Sequence, residues 1–515
     1  MRHLDRTKNT IRNFIYGFLN KIVSLLLPFL IRSIIIRTLG REYLGLNNLF
    51  TSILSVLNLA ELGMGTAMVW AMYEPIAKEN KTVICQLLAL YKKIYRIIGS
   101  IITICGLLLM PFLKHLVNGN VENINIYILY LIFLSDTVLS YLLFAYKSSI
   151  LTAYQRSDII SNIGTVVQLL LNIVQIVILL IFKNYYFYIL MKPLFTIINN
   201  IIVNYVTGKQ YPDLIPYGNV DVSVKNNIFT RVKALIGHKI GSTVIASADS
   251  LVISAYLGLE MLAIYSNYYY IVYFLISVTS IFFNGMLAGI GNSLVLETRE
   301  KNIILFKNIN FMTVWLVTWC SVCLLCLLQP FMTLWMGKDM LLSTLTVILI
   351  VIYYYTWQAR TTGLFFKDAA GMWNADFWKP YVAAIVNVVI NILLVKRIGI
   401  NGVFISTIIC MVLIYFPWET WVLFKKMFGI SSREYVLGQV ISAIEAVFIC
   451  VFTYSICSII PLSGIEGLIA RGVICVFVPN IILVIFNYKK QEYIFLKNKI
   501  IMTIANWRNN NVLNK

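Results

Sequence analysis

Long apolar runs, separated by short polar segments, follow one another along the whole sequence. A helix of about 20 residues crosses the hydrocarbon core of a membrane, and these runs reach that length without the ten-residue alternation of a membrane β-barrel. We therefore predict an all-α polytopic membrane protein with about fourteen spans, and with twelve spans as the alternative. The predicted spans are 13–36, 46–71, 97–113, 124–146, 159–182, 185–206, 234–257, 262–296, 309–336, 342–365, 380–395, 401–424, 436–460 and 467–488.

Composition agrees with this class. Of the 515 residues, 59% are hydrophobic and 12% are charged, and the mean hydropathy is +0.81. A globular domain of ordinary composition carries about 25% charged residues. The net charge of +20 does not indicate nucleic acid, because the basic residues are scattered through short loops and tails. There they favour contact with membrane lipids and set the orientation of the spans.

The distribution of basic residues predicts the orientation. If the N-terminus is cytoplasmic, the cytoplasmic segments hold 29 of the 42 Lys and Arg, the external loops hold 7 and the spans hold 6. Cytoplasmic loops carry this excess in membrane proteins. We expect both termini in the cytoplasm, and we expect the first span to be a retained helix and not a cleaved signal peptide.

A weak internal repeat divides the chain. A shift of 218 residues aligns Lys21 with Lys239, and Leu39-Gly40 with Leu257-Gly258. Six predicted spans separate the two copies, as expected for a parallel repeat in a two-bundle transporter. We predict two pseudo-symmetric six-helix bundles and two C-terminal helices. The predicted boundaries are 1–206 for the N-terminal bundle, 207–233 for a cytoplasmic linker, 234–424 for the C-terminal bundle, and 425–515 for the extra helices and a basic cytoplasmic tail.

Charged residues inside the first and seventh spans are the main functional signal. A charge at mid-bilayer costs at least about 2.5 kcal/mol, so such residues face a wet cavity or a partner. Lys21 and Arg32 share one face of the first span, and His238 and Asp249 share one face of the seventh. A cavity lined by cations suits an anionic cargo, such as a polyprenyl pyrophosphate head group.

Other spans contain isolated charges. The seventh-span Lys239 and the tenth-span Arg360 join Lys21 and Arg32 as predicted substrate-binding cations. Asp249, His238 and Asp136 are the candidates for coupling to a sodium ion or a proton. Glu61 and Asp136 can equally be structural ion-pair partners, and Glu445 in the thirteenth span is a further candidate. Two further cations, Lys192 and Arg471, lie near predicted helix ends, where a long side chain can extend to the interface.

The nine cysteines indicate neither a disulfide framework nor a metal centre. Cys320, Cys323 and Cys326 have metal-like spacing, but they lie in an apolar helix without a nearby His or acid. We expect packed free thiols, no metal and no cofactor beyond a coupling ion.

Several short motifs resemble the bacterial oligosaccharide flippases for O-antigen or capsule repeat units. These flippases form the polysaccharide exporter family within the multidrug/oligosaccharidyl-lipid/polysaccharide exporter superfamily. The similar stretches are Leu39-Gly-Arg-Glu-Tyr-Leu-Gly-Leu46, Glu61-Leu-Gly-Met-Gly-Thr-Ala67, Tyr73-Glu-Pro-Ile-Ala77, His238-Lys-Ile-Gly241, Tyr265-Ser-Asn-Tyr268, Gly289-Ile-Gly-Asn292, Trp335-Met-Gly337 and Phe366-Lys-Asp-Ala-Ala-Gly371.

The resemblance implies a central cationic cavity between two bundles and alternating access. It implies export of an undecaprenyl-pyrophosphate-linked oligosaccharide across the bacterial cytoplasmic membrane for surface polysaccharide biosynthesis. Cavity cations of the family lie on its first and seventh helices, where Arg32 and Lys239 fall here. A polysaccharide polymerase and assembly proteins are the expected partners.

Three other functions remain open from the sequence. A multidrug exporter of the same fold would favour an acidic cavity. A membrane-embedded glycosyltransferase or polymerase would need external acids, and the short external loops offer no acidic pair. A scaffold protein would not require buried charges. We find no nucleophile–base pair and no ATPase motif, and we expect a transporter without enzymatic activity.

Overall fold

The structure is a computed structural model that describes residues 6–61, 63–119, 124–499 and 502. Helices account for nearly all of these residues, and none of them forms a strand. In chain order the α-helices are α1 Arg6–Thr38, α2 Arg41–Leu57, α3 Met64–Ala77, α4 Lys81–Leu109, α5 Leu113–Leu116, α6 Ile126–Leu142, α7 Ser148–Ala153, α8 Ser157–Ile181, α9 Tyr185–Gln210, α10 Val222–Leu296, α11 Arg299–Trp335, α12 Thr344–Gln358, α13 Thr361–Ala369, α14 Lys379–Ile398, α15 Ile400–Cys410, α16 Phe416–Trp421, α17 Arg433–Ile459 and α18 Gly464–Asn487.

Short helical segments of other types connect some of these helices. Asn58–Glu61, Met110–Phe112, Ala145–Lys147, Lys338–Met340 and Trp373–Asp376 are 3-10 helices, and Met411–Tyr415 and Val422–Met427 are π-helices.

The predicted class is confirmed. Among the described residues, ten helices are long and apolar enough to cross a membrane, and the bent pair formed by Ile126–Leu142 and Ala145–Ala153 would be an eleventh span. The predicted spans 46–71 and 342–365 are each broken into shorter helices, and α10 carries two predicted spans in one element. These three interruptions account for the difference between the eleven spans counted in the structure and the fourteen predicted.

The chain divides into two compact units, Met1–Ser266 (unit 1) and Asn267–Lys515 (unit 2). In unit 1, α1 packs along α8, and α9 packs against α6 and α8. In unit 2, α14 packs against α15, and α11 packs against α17 and α18. The predicted linker 207–233 is helical at both ends, because α9 continues to Gln210 and α10 begins at Val222. The predicted domain boundaries stay a prediction.

Two glycines that the 218-residue shift aligns have the same backbone conformation. Gly40, between α1 and α2, has φ 121° and ψ 174°. Gly258, where α10 is interrupted, has φ 89° and ψ 171°. Only glycine adopts these angles without strain. The matched turns support the predicted repeat.

Candidate functional site

Arg32 lies in the apolar part of α1, and its guanidinium is held by polar groups of unit 1. Its Nη1 donates to Ser266 Oγ (3.1 Å) and its Nη2 to Asn48 Oδ1 (3.1 Å). Asn48 in turn donates from Nδ2 to Ser266 Oγ (2.8 Å). The three side chains therefore form a closed triangle that fixes the guanidinium inside a membrane-spanning segment, although Arg32 stays only half-buried.

A second cation, Lys192 of α9, lies next to Asn47, the residue that precedes Asn48 in α2. Lys192 Nζ donates to Asn47 Oδ1 (3.4 Å) and sits 5.0 Å from the centre of the Phe133 ring. One helical turn after Lys192, Thr196 donates to Asp136 Oδ1 (2.6 Å). Sequence reasoning placed Lys192 near a helix end, extending to the interface. The structure instead places it within α9, in contact with α2 and α6.

We refer to these side chains as the unit 1 polar cluster: Arg32, Asn47, Asn48, Asp136, Lys192, Thr196 and Ser266. It contains two cations and one carboxylate, so its formal charge is +1. Charged groups inside membrane-spanning helices are expensive unless they serve structure or function. Arginine and lysine with amide and hydroxyl neighbours are well suited to bind phosphate or carboxylate oxygens.

Unit 2 contains a second group of charges, which we call the unit 2 ion network. Its members are Arg360, Lys367, Asp376, Lys379 and Glu419, and all five are buried. Glu419 Oε1 accepts from Arg360 Nη1 (2.7 Å) and from Lys379 Nζ (2.6 Å). Asp376 Oδ2 accepts from Lys379 Nζ (2.6 Å) and from Lys367 Nζ (2.7 Å). Three cations and two carboxylates leave a formal charge of +1.

The sequence brings the network together through an irregular backbone. The chain turns at Gly371 (φ 66°) and at a 3-10 helix that carries Asp376, and Asp376 there bonds both Lys367 of α13 and Lys379 at the start of α14. A π-helical turn ends at Tyr415, whose ring lies 4.7 Å from the Arg360 guanidinium and 5.2 Å from Lys379 Nζ. Such turns often mark functional positions in helices. Within the described residues, Arg360 Nε and Glu419 Oε2 have no hydrogen-bond partner.

The other predicted site residues lie in several places. Lys21 is half-buried on α1, on the same helix as Arg32. Asp249 is buried, with 6% of its surface exposed, in the first segment of α10. His238 and Lys239 lie in the same helix, and their side chains fall outside the residues that the structure describes. Arg360 belongs to the unit 2 ion network.

Three further charged residues that the sequence places inside predicted spans form hydrogen bonds or ion pairs in the structure. Glu61 accepts a hydrogen bond from Tyr95 (3.2 Å), and Glu445 lies 3.8 Å from Lys490. Arg471 donates to the carbonyl oxygens of Cys457 (3.3 Å) and Ile460 (3.4 Å), and so caps the end of α17.

Sequence reasoning missed four of the five network members. Lys367 falls in the Phe366-to-Gly371 motif, and Asp376 and Lys379 follow it in the segment between the predicted spans 342–365 and 380–395. Glu419 lies inside the twelfth predicted span, and this buried acid was the signal that could have revealed the network.

No protein-family model matches the sequence, and a comparison with curated proteins finds no match. Solved structures do match the fold. The lipid II flippase MurJ in an inward closed conformation has a TM-score of 0.67 at 14% identity, over 92% of this chain and 98% of that one.

Transporters of the MATE family match as well. An inward-facing multidrug resistance MATE transporter of the MOP superfamily has a TM-score of 0.62 at 13% identity, over 77% of this chain and 93% of that one. The Vibrio cholerae MATE transporter VcmN in the bent form has a TM-score of 0.53 at 15% identity, over 82% of this chain and 97% of that one. The fold of this chain is therefore a fold of membrane flippases and exporters.

Proposed function

From this shared fold, we propose that the chain is an exporter of the MOP superfamily. Its proposed cargo is an undecaprenyl-pyrophosphate-linked oligosaccharide, which it moves across the bacterial cytoplasmic membrane by alternating access for surface polysaccharide biosynthesis. The similarity to a lipid II flippase over 92% of the chain supports a lipid-linked cargo. The proposal includes cytoplasmic termini, transport without covalent chemistry, and handover to a polysaccharide polymerase and assembly proteins.

The observation that carries this proposal is the pair of cations in the unit 1 polar cluster. Arg32 and Lys192 each donate to a neutral amide oxygen of α2. Hydrogen bonds to a charged phosphate are roughly twice as strong as bonds to a neutral acceptor. A pyrophosphate can therefore replace the asparagine oxygens with a gain in free energy. Lys21, Lys239 and Arg360 stay predictions as further substrate-binding cations.

The test compares cluster and surface cations at equal protein level. We expect Arg32→Ala and Lys192→Ala to lower export at least tenfold, since losing one charge-assisted hydrogen bond costs about 1.5–3 kcal/mol. The control is Arg37→Ala, an exposed cation of the same helix, which should transport normally. The measurements are surface polysaccharide and the lipid-linked oligosaccharide left in the inner leaflet. Normal export by both cluster variants would contradict the proposal.

A multidrug exporter is the second candidate, and the MATE structures favour it. Such a protein would extrude organic cations, which a cluster of charge +1 repels. If the chain confers resistance to cationic drugs, and if Arg32→Ala raises that resistance without any effect on surface polysaccharide, then the drug exporter is correct and the flippase is not.

For energy coupling we propose Asp249, with His238 and Asp136 as the other candidates for a sodium ion or a proton. Asp249 is a buried acid between Ser247 and Ser250 of a membrane-spanning segment of α10, where protonation or ion binding would reduce the cost of its charge. Asp249→Asn should make transport insensitive to the driving ion or to pH. The Asp136→Asn variant is the comparison, and an unchanged ion and pH dependence in Asp249→Asn would remove this residue from the coupling role.

A further inference from the structure

Cysteines gather where α11, α17 and α18 pack together in unit 2. The Sγ atoms of Cys326, Cys457 and Cys475 all lie within 4.8 Å of one another, and all three residues are buried. Each comes from a different helix, so the packing of the helices assembles the three thiols. The sequence predicted packed free thiols and no metal, because α11 by itself supplies no second kind of ligand.

The spacing of the thiols fits one metal ion. A metal–thiolate bond of about 2.3 Å places three sulfurs around a trigonal ion roughly 4.0 Å apart. The observed limit of 4.8 Å therefore requires a contraction of less than about 1 Å per pair, which side-chain rotation can supply.

Two hydrogen bonds between the helices hold the three thiols in place. Arg471 lies one helical turn before Cys475 on α18, and its guanidinium donates to the carbonyl of Cys457 (3.3 Å). This hydrogen bond ties α18 to the end of α17 beside Cys457. In addition, Trp319 Nε1 donates to the Cys475 carbonyl (2.9 Å), which fixes α18 on α11. The three helices are therefore held in register at the thiols.

We propose that Cys326, Cys457 and Cys475 bind a soft monovalent cation, Cu(I), which clamps α17 and α18 to α11. Thiolates select Cu(I), and three of the described thiols lie mutually close enough to share one ion, whereas zinc requires four ligands. Cys323 contacts Cys475 but lies outside this group of three. On binding, two thiols release their protons to the surrounding buffer and bond to copper as thiolates, and the third coordinates as a neutral thiol. The complex then carries −1, which the +1 of Arg471 balances in a low-dielectric interior.

The test uses the full-length protein, purified in detergent under anaerobic and reducing conditions. We expect one Cu(I) per chain when the ion is titrated against a competing chelator. Cys326→Ala, Cys457→Ala and Cys475→Ala should each lower the affinity at least about tenfold, since even partners outside the ligand set are worth 10–100-fold. Cys450→Ala is the matched control, because Cys450 packs in the same cluster but lies outside the triad.

X-ray absorption of the copper-loaded wild-type protein keeps the test independent of how the variants fold. A shell of sulfur alone, with two or three atoms, is the expected result. A shell that contains nitrogen or oxygen would overturn the proposal, as would Cu(I) binding that survives removal of all three cysteines. The test measures copper binding and not export. A negative result would therefore contradict the copper site without contradicting the proposed transport function.

Discussion

Replacement of Glu419 by alanine should destabilise the protein far more than the loss of a surface ion pair. Glu419 is 6% exposed, and one of its oxygens accepts from both Arg360 and Lys379. Its removal leaves the three buried cations with Asp376 and with the partly exposed Asp368, which lies 3.9 Å from Lys367. The formal charge of the five-residue network rises from +1 to +2. Arg360 loses the carboxylate that it contacts at 2.7 Å.

The magnitude follows from the geometry. At 2.7 Å and an effective dielectric constant of about 20, one ion pair represents roughly 6 kcal/mol of attraction before desolvation is subtracted. Removing one partner of a buried pair typically costs about 3–5 kcal/mol, because a buried charge is left uncompensated. We therefore expect Glu419→Ala to lose about 3–5 kcal/mol of unfolding free energy. The double variant Glu419→Ala, Arg360→Met should recover part of this loss, because it also removes the Arg360 guanidinium that would otherwise be buried without Glu419.

The assay is unfolding of the purified protein by SDS in mixed micelles. The control is Glu434→Ala, since Glu434 pairs with Lys307 at 2.8 Å while its side chain is 82% exposed. Exposed pairs are worth about 0–1 kcal/mol, so this variant should unfold close to wild type. Equal losses in Glu419→Ala and Glu434→Ala would refute the reasoning, because burial would then make no difference to the ion pair.

Other predictions concern close packing and orientation. A Cβ at Gly45 would meet a backbone carbonyl of the turn after Gly258, so Gly45→Ala should cost about 1–3 kcal/mol in the same assay, whereas Gly17→Ala, in open space, should not destabilise. Loss of stability in both variants would instead indicate a general effect of the substitution. Cysteines that replace Lys338 and Lys225 should react with impermeant reagents outside and inside the cell, respectively, and the reverse pattern would overturn the predicted topology.

The helical membrane class was predictable because it depends on local sequence. A run of apolar residues must form a helix in a bilayer, since its backbone groups have no other partners there. The breaks in spans 46–71 and 342–365 fall at short polar segments, Asn58–Glu61 in the first span and Gln358 to Thr361 in the second. Hydropathy averaged over a whole span does not resolve such short segments, so both spans read as continuous. The turn at Gly258 falls in the connection between the predicted spans 234–257 and 262–296, and its backbone conformation is similar to that of Gly40, with which the 218-residue shift aligns it.

The charged residues of the candidate sites could be predicted from the sequence, but their partners could not. A charge in an apolar span is visible in the sequence, and so Arg32, Asp136, Asp249 and Arg360 were found. Its partner is not visible, because partners in helical membrane proteins come from other helices. Lys192 is the example: hydropathy placed it at a helix end, but contact with Asn47 and Phe133 puts it in the unit 1 polar cluster.

The sequence by itself determined that the chain folds as membrane-spanning helices and that some of these helices carry charges that lipid does not tolerate. The tertiary structure alone decided which charges meet. Glu419 and Lys379 are 40 residues apart and bond at 2.6 Å, and three cysteines from three helices converge within 4.8 Å. The physical reason is that hydropathy reports the transfer of single residues to lipid, whereas ion pairs and metal sites depend on the packing of helices distant in sequence.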